Sequence, residues 1–377
     1  MMLEVAKKKM VDRFLKYAAV DTRSEDESGA IPTTKGQMEL LELLKEEMAD
    51  MGLQEIRLDE RGLLIGVLPA NIPSAESIGL MAHVDTYPGY EGKGVKPQIH
   101  RNYGGKVLEL DAETHTVLDP EEFPELAAYV GHDLITTDGK TLLGADDKAG
   151  IAEIFGAVEY LMENPSVKRP ELRIIFTCDE ETDRGGLWMF GPEDFGTDLI
   201  FTIDGDVPGE INFENFNAAG IKVRIHGRSV HTGEAKGKLK NSQLIASELV
   251  LSLPRDESPE RTAGYEGFYH LESFSGTIEE TELYVMVRDF SEEGFRKRID
   301  FVGELVDCMN EKYGHGTVEM EVSIDYRNMK ETLNSRPGLV ELTVKAVEET
   351  GLKALVKPIR GGTDGATLAE KGIAGPN

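Results

Sequence analysis

Three apolar runs in this 377-residue chain stop in histidine or carboxylate residues. GLMAHVD ends on His83 and Asp85, RIIFTCDEE on Glu180 and Glu181, and LIFTIDGD reaches Asp204. A fourth segment, LLGADDKAG, sets Asp146 and Asp147 just ahead of an Ala/Ile-rich helical stretch. Ligands of open α/β sheets sit beyond the carboxyl ends of the strands, so these endpoints predict one convergent site. One imidazole among several carboxylates is the ligand set of a hydrolase that works with two metal ions. No thiolate joins the set, so zinc is expected, with manganese or cobalt able to substitute. The histidine argues against calcium.

The spacing assigns parts. Residues i and i+2 of a strand point the same way, so Asp85 is placed to fix the tautomer of His83 and raise its basicity. Helix capping is the ordinary role of an aspartate before a helix. It does not account for two in succession followed by Lys148 and Gly150, and Asp146 is expected to bridge two metals. Glu180 and Glu181 point opposite ways if the strand continues, which gives one to a metal and the other to proton transfer with the attacking water. Asp179 and Asp183 are expected in a solvated acidic turn, Asp204 as a further ligand, and Asp206 in a turn or supporting position. His231 follows a later strand and is succeeded by small residues, so a substrate can approach it. Arg288 ends an apolar strand and Arg360 precedes Gly-Gly; the guanidinium fork suits a peptide carboxylate. A plain Arg288–Asp289 pairing competes with that role. His100, His115, His132 and His315 lie in polar or Gly-rich stretches and are expected at the surface.

These residues need a scaffold. Helical periodicity covers 1–20 and 35–52, RGLLIGVLPAN and GLMAHVD have strand character, and 86–140 is a Gly-, Pro- and Tyr-rich excursion with short strands. A helix from Ala149 to Met162, a strand at 172–178, a helix at 185–190 and a strand at 199–203 complete an α/β alternation. After Gly209 the rhythm changes to strand, helix, two strands, helix, strand, the βαββαβ order of a ferredoxin-like unit. Residues 337–377 return to α/β character. The predicted fold is α/β: a catalytic domain of mixed sheet flanked by helices, 1–214 with 329–377, and an inserted ferredoxin-like α+β lid domain, 215–328.

The 69 acidic and 41 basic residues leave a net charge of −28, which argues against nucleic acid or an anionic membrane as a partner. Cys178 and Cys308 are expected as two reduced core thiols rather than a disulfide framework. The segment after Lys7, Lys8 and Lys9 is amphipathic and not the apolar core of a secretory signal. No stretch reaches the ~20 apolar residues that span a bilayer. A cytoplasmic enzyme is expected.

The segments HVDT, TTDGKTLLGADDKAGIAEI, DEE, FENFNAA, DESPERTAGYEGFYHL, RDF and KPIRGGTDGA, in this order, resemble the peptidase T family. These are zinc-dependent tripeptide aminopeptidases within a clan that includes carboxypeptidase G-like and succinyl-diaminopimelate desuccinylase-like enzymes. The likeness runs from RFLKYAAVDT to the last residue. It implies one zinc on His83, Asp146 and Asp204, and a second on Asp146, Glu181 and a late histidine. Asp85 then orients His83, Glu180 is the general base, and the Asp146–Asp147 peptide is cis. It also implies that His231, Asn241, Arg288 and Arg360 bind the C-terminal side of the substrate or polarise the scissile carbonyl, and that the lid domain forms a homodimer. The family's late metal-binding histidine follows a Pro-Asn pair, and this sequence stops at Pro376-Asn377. The expectation is therefore a catalytic domain cut short in its C-terminal part, with one zinc bound tightly, the second weakly and low activity. A dipeptidase or N-acyl amino acid deacylase is the alternative among hydrolases. A binding homologue impaired for want of the last ligand is the alternative of another class.

Overall fold

The computed structural model describes residues 2–73, 76–182 and 185–377. Asp183 lies outside the described residues. The chain forms two compact units, 1–206 with 371–377, and 207–370. The sequence placed the divisions at 214/215 and 328/329. Two short flanking strands, described below, pair with each other inside the second unit and move its edges outward.

In the first unit, helices α1 (Met2–Ala18) and α2 (Lys35–Met51) precede strands β1 (Gln54–Leu58), β2 (Leu64–Leu68) and β3 (Ser77–His83). Helix α2 buries Leu40, Leu41, Leu44 and Met48, a stripe of helical period. It stops at Gly52, whose φ of +85° gives the left-handed C-terminal turn. The excursion holds β4 (Gln98–His100), β5 (Leu108–Asp111), β6 (Thr116–Leu118) and β7 (Leu134–Thr136), paired as β4–β7 and β5–β6. Helix α3 (Ala145–Glu163), β8 (Glu171–Thr177), the short α4 (Pro192–Phe195) and β9 (Ile200–Thr202) follow. The main sheet has the order β1-β2-β8-β3-β9. It is mixed, because β1–β2 and β2–β8 are antiparallel while β3 runs parallel to β8 and β9. Its core joins Tyr17, Leu44, Ile174, Phe155 and Phe176. Arg13 ties the three helices together, with Nε on Glu47 at 2.5 Å and Nη1 on Glu159 at 2.9 Å.

The second unit begins with β10 (Glu210–Ile211) and β11 (Asn217–His226), then α5 (Ser242–Leu251), β12 (Phe268–Gly276), β13 (Glu280–Asp289), α6 (Glu292–Tyr313) and β14 (Val318–Tyr326). The antiparallel order β12-β13-β11-β14 is that of the predicted ferredoxin-like unit. Ile245 and Leu249 of α5 and Phe295 and Val302 of α6 pack on Ile221, Val223, Leu283 and Val285 of the central strands. Helices α7 (Lys330–Asn334) and α8 (Leu339–Glu349), strand β15 (Leu355–Val356) and α9 (Asp364–Glu370) complete it, β15 pairing in parallel with β10.

Cys178 is buried as expected, but Cys308 is exposed. The buried positions of α6 are Phe295, Val302, Val306 and Met309, and residue 308 falls off that stripe. Among the described residues no helix is long and apolar enough to cross a membrane.

Candidate metal centre

The parallel trio β8-β3-β9 delivers its carboxyl ends to one place. His83 is the last residue of β3 and sits opposite Thr177, the last of β8. Glu180 and Glu181 follow β8 by three and four residues, and Asp204 follows β9 by two. The first turn of α3 supplies Asp146 and Asp147, whose backbone is not helical (ψ 109° and 28°) and whose shared peptide bond is cis, as the resemblance implied. Neither aspartate caps α3; Gly144, in the left-handed region, holds that position. Gly150 explains how the helix comes so near. A Cβ there would lie 2.2 Å from the Ile203 carbonyl and 2.3 Å from Asp147 Oδ1, so only glycine admits this approach.

Two overlapping groups of ligand atoms result: His83 with Asp147 and Asp204, and His83 with Asp146 and Glu181. His83 Nε2 lies 2.9 Å from Asp146 Oδ1 and 3.9 Å from Asp204 Oδ1. Its Nδ1 lies 3.1 Å from the Asp85 carbonyl and 3.3 Å from Asp85 Oδ1. Asp85, fully buried, also accepts the backbone N–H groups of Glu180 and Glu181, one on each oxygen at 3.0 Å. One carboxylate thus faces the histidine and fixes the glutamate pair. Asp147, given no role of its own by sequence reasoning, is buried and accepts the His83 N–H at 3.2 Å. Its signal was the second aspartate of the pair with Gly150 three residues on.

The electrostatics are those of crowded anions. Burial disfavours a charged His83, yet hydrogen bonds to Asp146 and Asp85 and the charge of Glu180 hold its pKa well above the usual value. Burial likewise works against ionised Asp146, but the His83 contact keeps that carboxyl below its ordinary range. Burial pushes Asp204 up to about 8, aided by Asp146 and Glu180 and opposed by His83. Burial, with Asp146 and Asp85, pushes Glu181 up to about 7, and burial raises Asp147 well above the usual carboxyl range. Lys148 is buried beside the cluster, but its Nζ donates to the Val20 carbonyl at 2.9 Å. Burial thus favours the protonated forms of Asp147, Asp204 and Glu181, which a cation would reverse, while Asp146 stays ionised against His83. An imidazole with oxygen donors suits a divalent transition metal. The residues present fit such an ion.

Other predicted residues take different positions. Asp179 is not solvated: it is 4% exposed and bonded to Thr33 and Gln37. The Arg288–Asp289 pairing does not form. Successive strand residues face opposite ways, so Asp289 pairs with Arg298 at 2.9 Å while Arg288, 7% exposed, reaches Asp325 and the carbonyls of Ala219 and Val287. Within the second unit, Asn241 caps α5 through the N–H groups of Gln243 and Leu244. Arg360 donates to the Gly264 and Glu266 carbonyls and to the Thr262 hydroxyl. His231 is exposed, and its Nδ1 accepts from the Gly233 N–H.

Comparison with known proteins agrees with this architecture. Residues 213–317 match the peptidase dimerisation domain family. Peptidase T of Caldanaerobacter subterraneus subsp. tengcongensis is 47% identical over 98% of this chain and 90% of its own length. The fold is shared with the crystal structure of aminopeptidase PepT from Bacillus cereus (TM-score 0.76, 22% identity, 98% and 89% of the two chains). It is also shared with a dinuclear metal-binding peptidase from Bacillus subtilis (TM-score 0.61, 13% identity, 99% and 88%). With nearly half its residues identical to a curated relative across almost its whole length, and with the strand ends and the helix of that architecture converging on His83, the chain belongs to the peptidase T family.

Proposed function

We propose that this chain is a metal-dependent aminopeptidase that releases the N-terminal residue of short peptides, tripeptides above all. The observation that carries the proposal is the pair of His–carboxylate groups around buried His83, with Glu180 on a backbone fixed by Asp85. Two divalent cations, zinc with manganese or cobalt able to substitute, are assigned to His83, Asp146, Asp147, Asp204 and Glu181. When bound they would polarise the scissile carbonyl and acidify water. Asp85 holds the His83 imidazole with its Nδ1 side inward, which leaves Nε2 as the donor atom. Glu180 takes the proton of the attacking water and returns it to the leaving amine.

For recognition of the peptide's C-terminal side, His231, Asn241, Arg288 and Arg360 are the candidates. His231 leads them, because donors or acceptors of the other three are already committed inside the second unit. With Nδ1 accepting, its Nε2 carries the hydrogen offered to a substrate oxygen. Residues 213–317 are proposed to form a homodimer.

A panel of di-, tri- and tetrapeptides with free and acetylated N-termini, assayed on the zinc-loaded chain, tests the reading. Tripeptides with free N-termini should be cleaved fastest, with one N-terminal residue released. Preference for dipeptides or for the acetylated forms would overturn it.

A further inference from the structure

The turn that carries Glu180 and Glu181 is built on Asp179, which holds φ at +58° in the left-handed region. A short polar side chain tolerates that conformation when it bonds locally. The Asp179 carboxylate instead reaches the start of α2, far away in sequence. The Thr33 N–H donates to Oδ1 and Oδ2 at 3.1 and 3.0 Å, and the Thr33 hydroxyl donates to Oδ1 as well. Gln37 Nε2 donates to Oδ1 at 2.6 Å, and Gln37 Oε1 accepts the Asp179 N–H in return at 3.0 Å. Gln37 is fully buried. The Thr182 hydroxyl closes the turn on the Asp179 carbonyl at 2.9 Å. Gly186 lets the chain fold back tightly, for a Cβ there would sit 1.7 Å from the Cys178 carbonyl.

Three consecutive backbone N–H groups, those of residues 179, 180 and 181, are thus claimed by side chains: the first by Gln37 and the next two by Asp85. The strand has ended at Thr177, so no sheet partner sets the direction of these residues. We propose that Asp179, gripped by Thr33 and Gln37, is a positioning residue that aims Glu180 and Glu181 at their separate tasks. Helix α2 thereby becomes part of the support of the metal centre. The inference rests on the roles given above to Glu180 as base and Glu181 as ligand. The competing role is a plain anchor, an anion at the N-terminus of α2, which would matter for stability alone.

Gln37→Leu and Thr33→Val remove donors to Asp179 without altering the glutamate segment, and Thr33→Ser restores the hydroxyl. Asp179→Asn keeps a residue tolerant of the left-handed conformation but turns one acceptor into a donor. Each folded variant is measured for tripeptide kcat and KM, for zinc affinity by competition with a chromophoric chelator, and for Tm. For Gln37→Leu, Thr33→Val and Asp179→Asn, kcat should fall about ten- to hundredfold with KM within about threefold, and zinc affinity should weaken about tenfold or more. Thr33→Ser should regain both to within about threefold of the parent. If kcat and zinc affinity stay within about threefold in the folded Gln37→Leu or Thr33→Val variant, whatever happens to Tm, Asp179 is only an anchor. Glu180→Gln, run in parallel, separates the two readings. If that variant stays active, the base assignment has failed, and zinc affinity still reports whether the turn aims Glu181.

Discussion

Replacing Asp85 by asparagine changes one atom, and the consequences follow from the contacts of that atom. Asp85 has no exposed surface, so solvent cannot supply a substitute partner. Its Oδ1 accepts the Glu180 N–H and faces His83 Nδ1, and its Oδ2 accepts the Glu181 N–H, with both N–H contacts at 3.0 Å. If the amide NH2 takes the Oδ1 position, it confronts the Glu180 N–H, donor against donor. It also faces His83 Nδ1 with a hydrogen, which drives the imidazole proton to Nε2, the atom required for the cation. If NH2 takes the Oδ2 position, Glu181 loses its anchor. Either orientation forfeits a hydrogen bond to a charged acceptor, a loss of about 1.5–3 kcal/mol. At about 1.4 kcal/mol per factor of ten, that is roughly ten- to hundredfold. The loss should appear in zinc affinity, measured by chelator competition, and in tripeptide kcat, with the protein still folded because the side-chain volume is unchanged. A folded Asp85→Asn protein that binds zinc and turns over tripeptide within about threefold of the parent would refute the reasoning.

Glu180→Gln should lower tripeptide kcat by about two to four orders of magnitude with zinc content unchanged, checked by elemental analysis of the same sample. Arg288→Ala leaves the carbonyls of Ala219 and Val287 without their buried donor, so Tm should fall, by about 1–3 kcal/mol of stability. A selective loss of activity on peptides with free C-termini would assign Arg288 to the substrate carboxylate, and equal losses on free and amidated peptides would leave it a purely structural role. Burial works against ionised Glu159, but its hydrogen bonds to Lys9 and Arg13 outweigh it and hold the pKa below the ordinary 4.5. The contribution is therefore present above the unfolded pKa and is lost as pH falls through the lower folded value. Glu159→Gln should lower Tm at pH 7, by about 0.5–1 kcal/mol of stability, and the difference from the parent should shrink as the pH is lowered below the ordinary 4.5.

The strand ends were legible because each joined a short apolar run to ligand-type side chains, and the sheet aligned His83, the Glu pair and Asp204 as that pattern required. The ferredoxin-like order was legible for a similar reason, since the second half of β11 alternates while α6 keeps a helical stripe. What escaped were contacts between residues far apart in sequence. Nothing local in DEE says that the first acid folds back onto Thr33 and Gln37, so Asp179 was expected in solvent. The two-residue pairing of β10 with β15 is too short for any periodicity to register, and it moved the unit boundaries. Cys308 was misplaced for want of one more step along the helix, because its neighbours Val306 and Met309 do face the core.

A crystal of the zinc-soaked protein, with anomalous differences collected at the zinc edge, bears most directly on the account. The predicted result is anomalous density bounded by His83 Nε2 and the carboxylates of Asp146, Asp147, Asp204 and Glu181, with Glu180 beside the ion but not bound to it. Zinc found only away from His83, in a protein that still cleaves tripeptides, would contradict it.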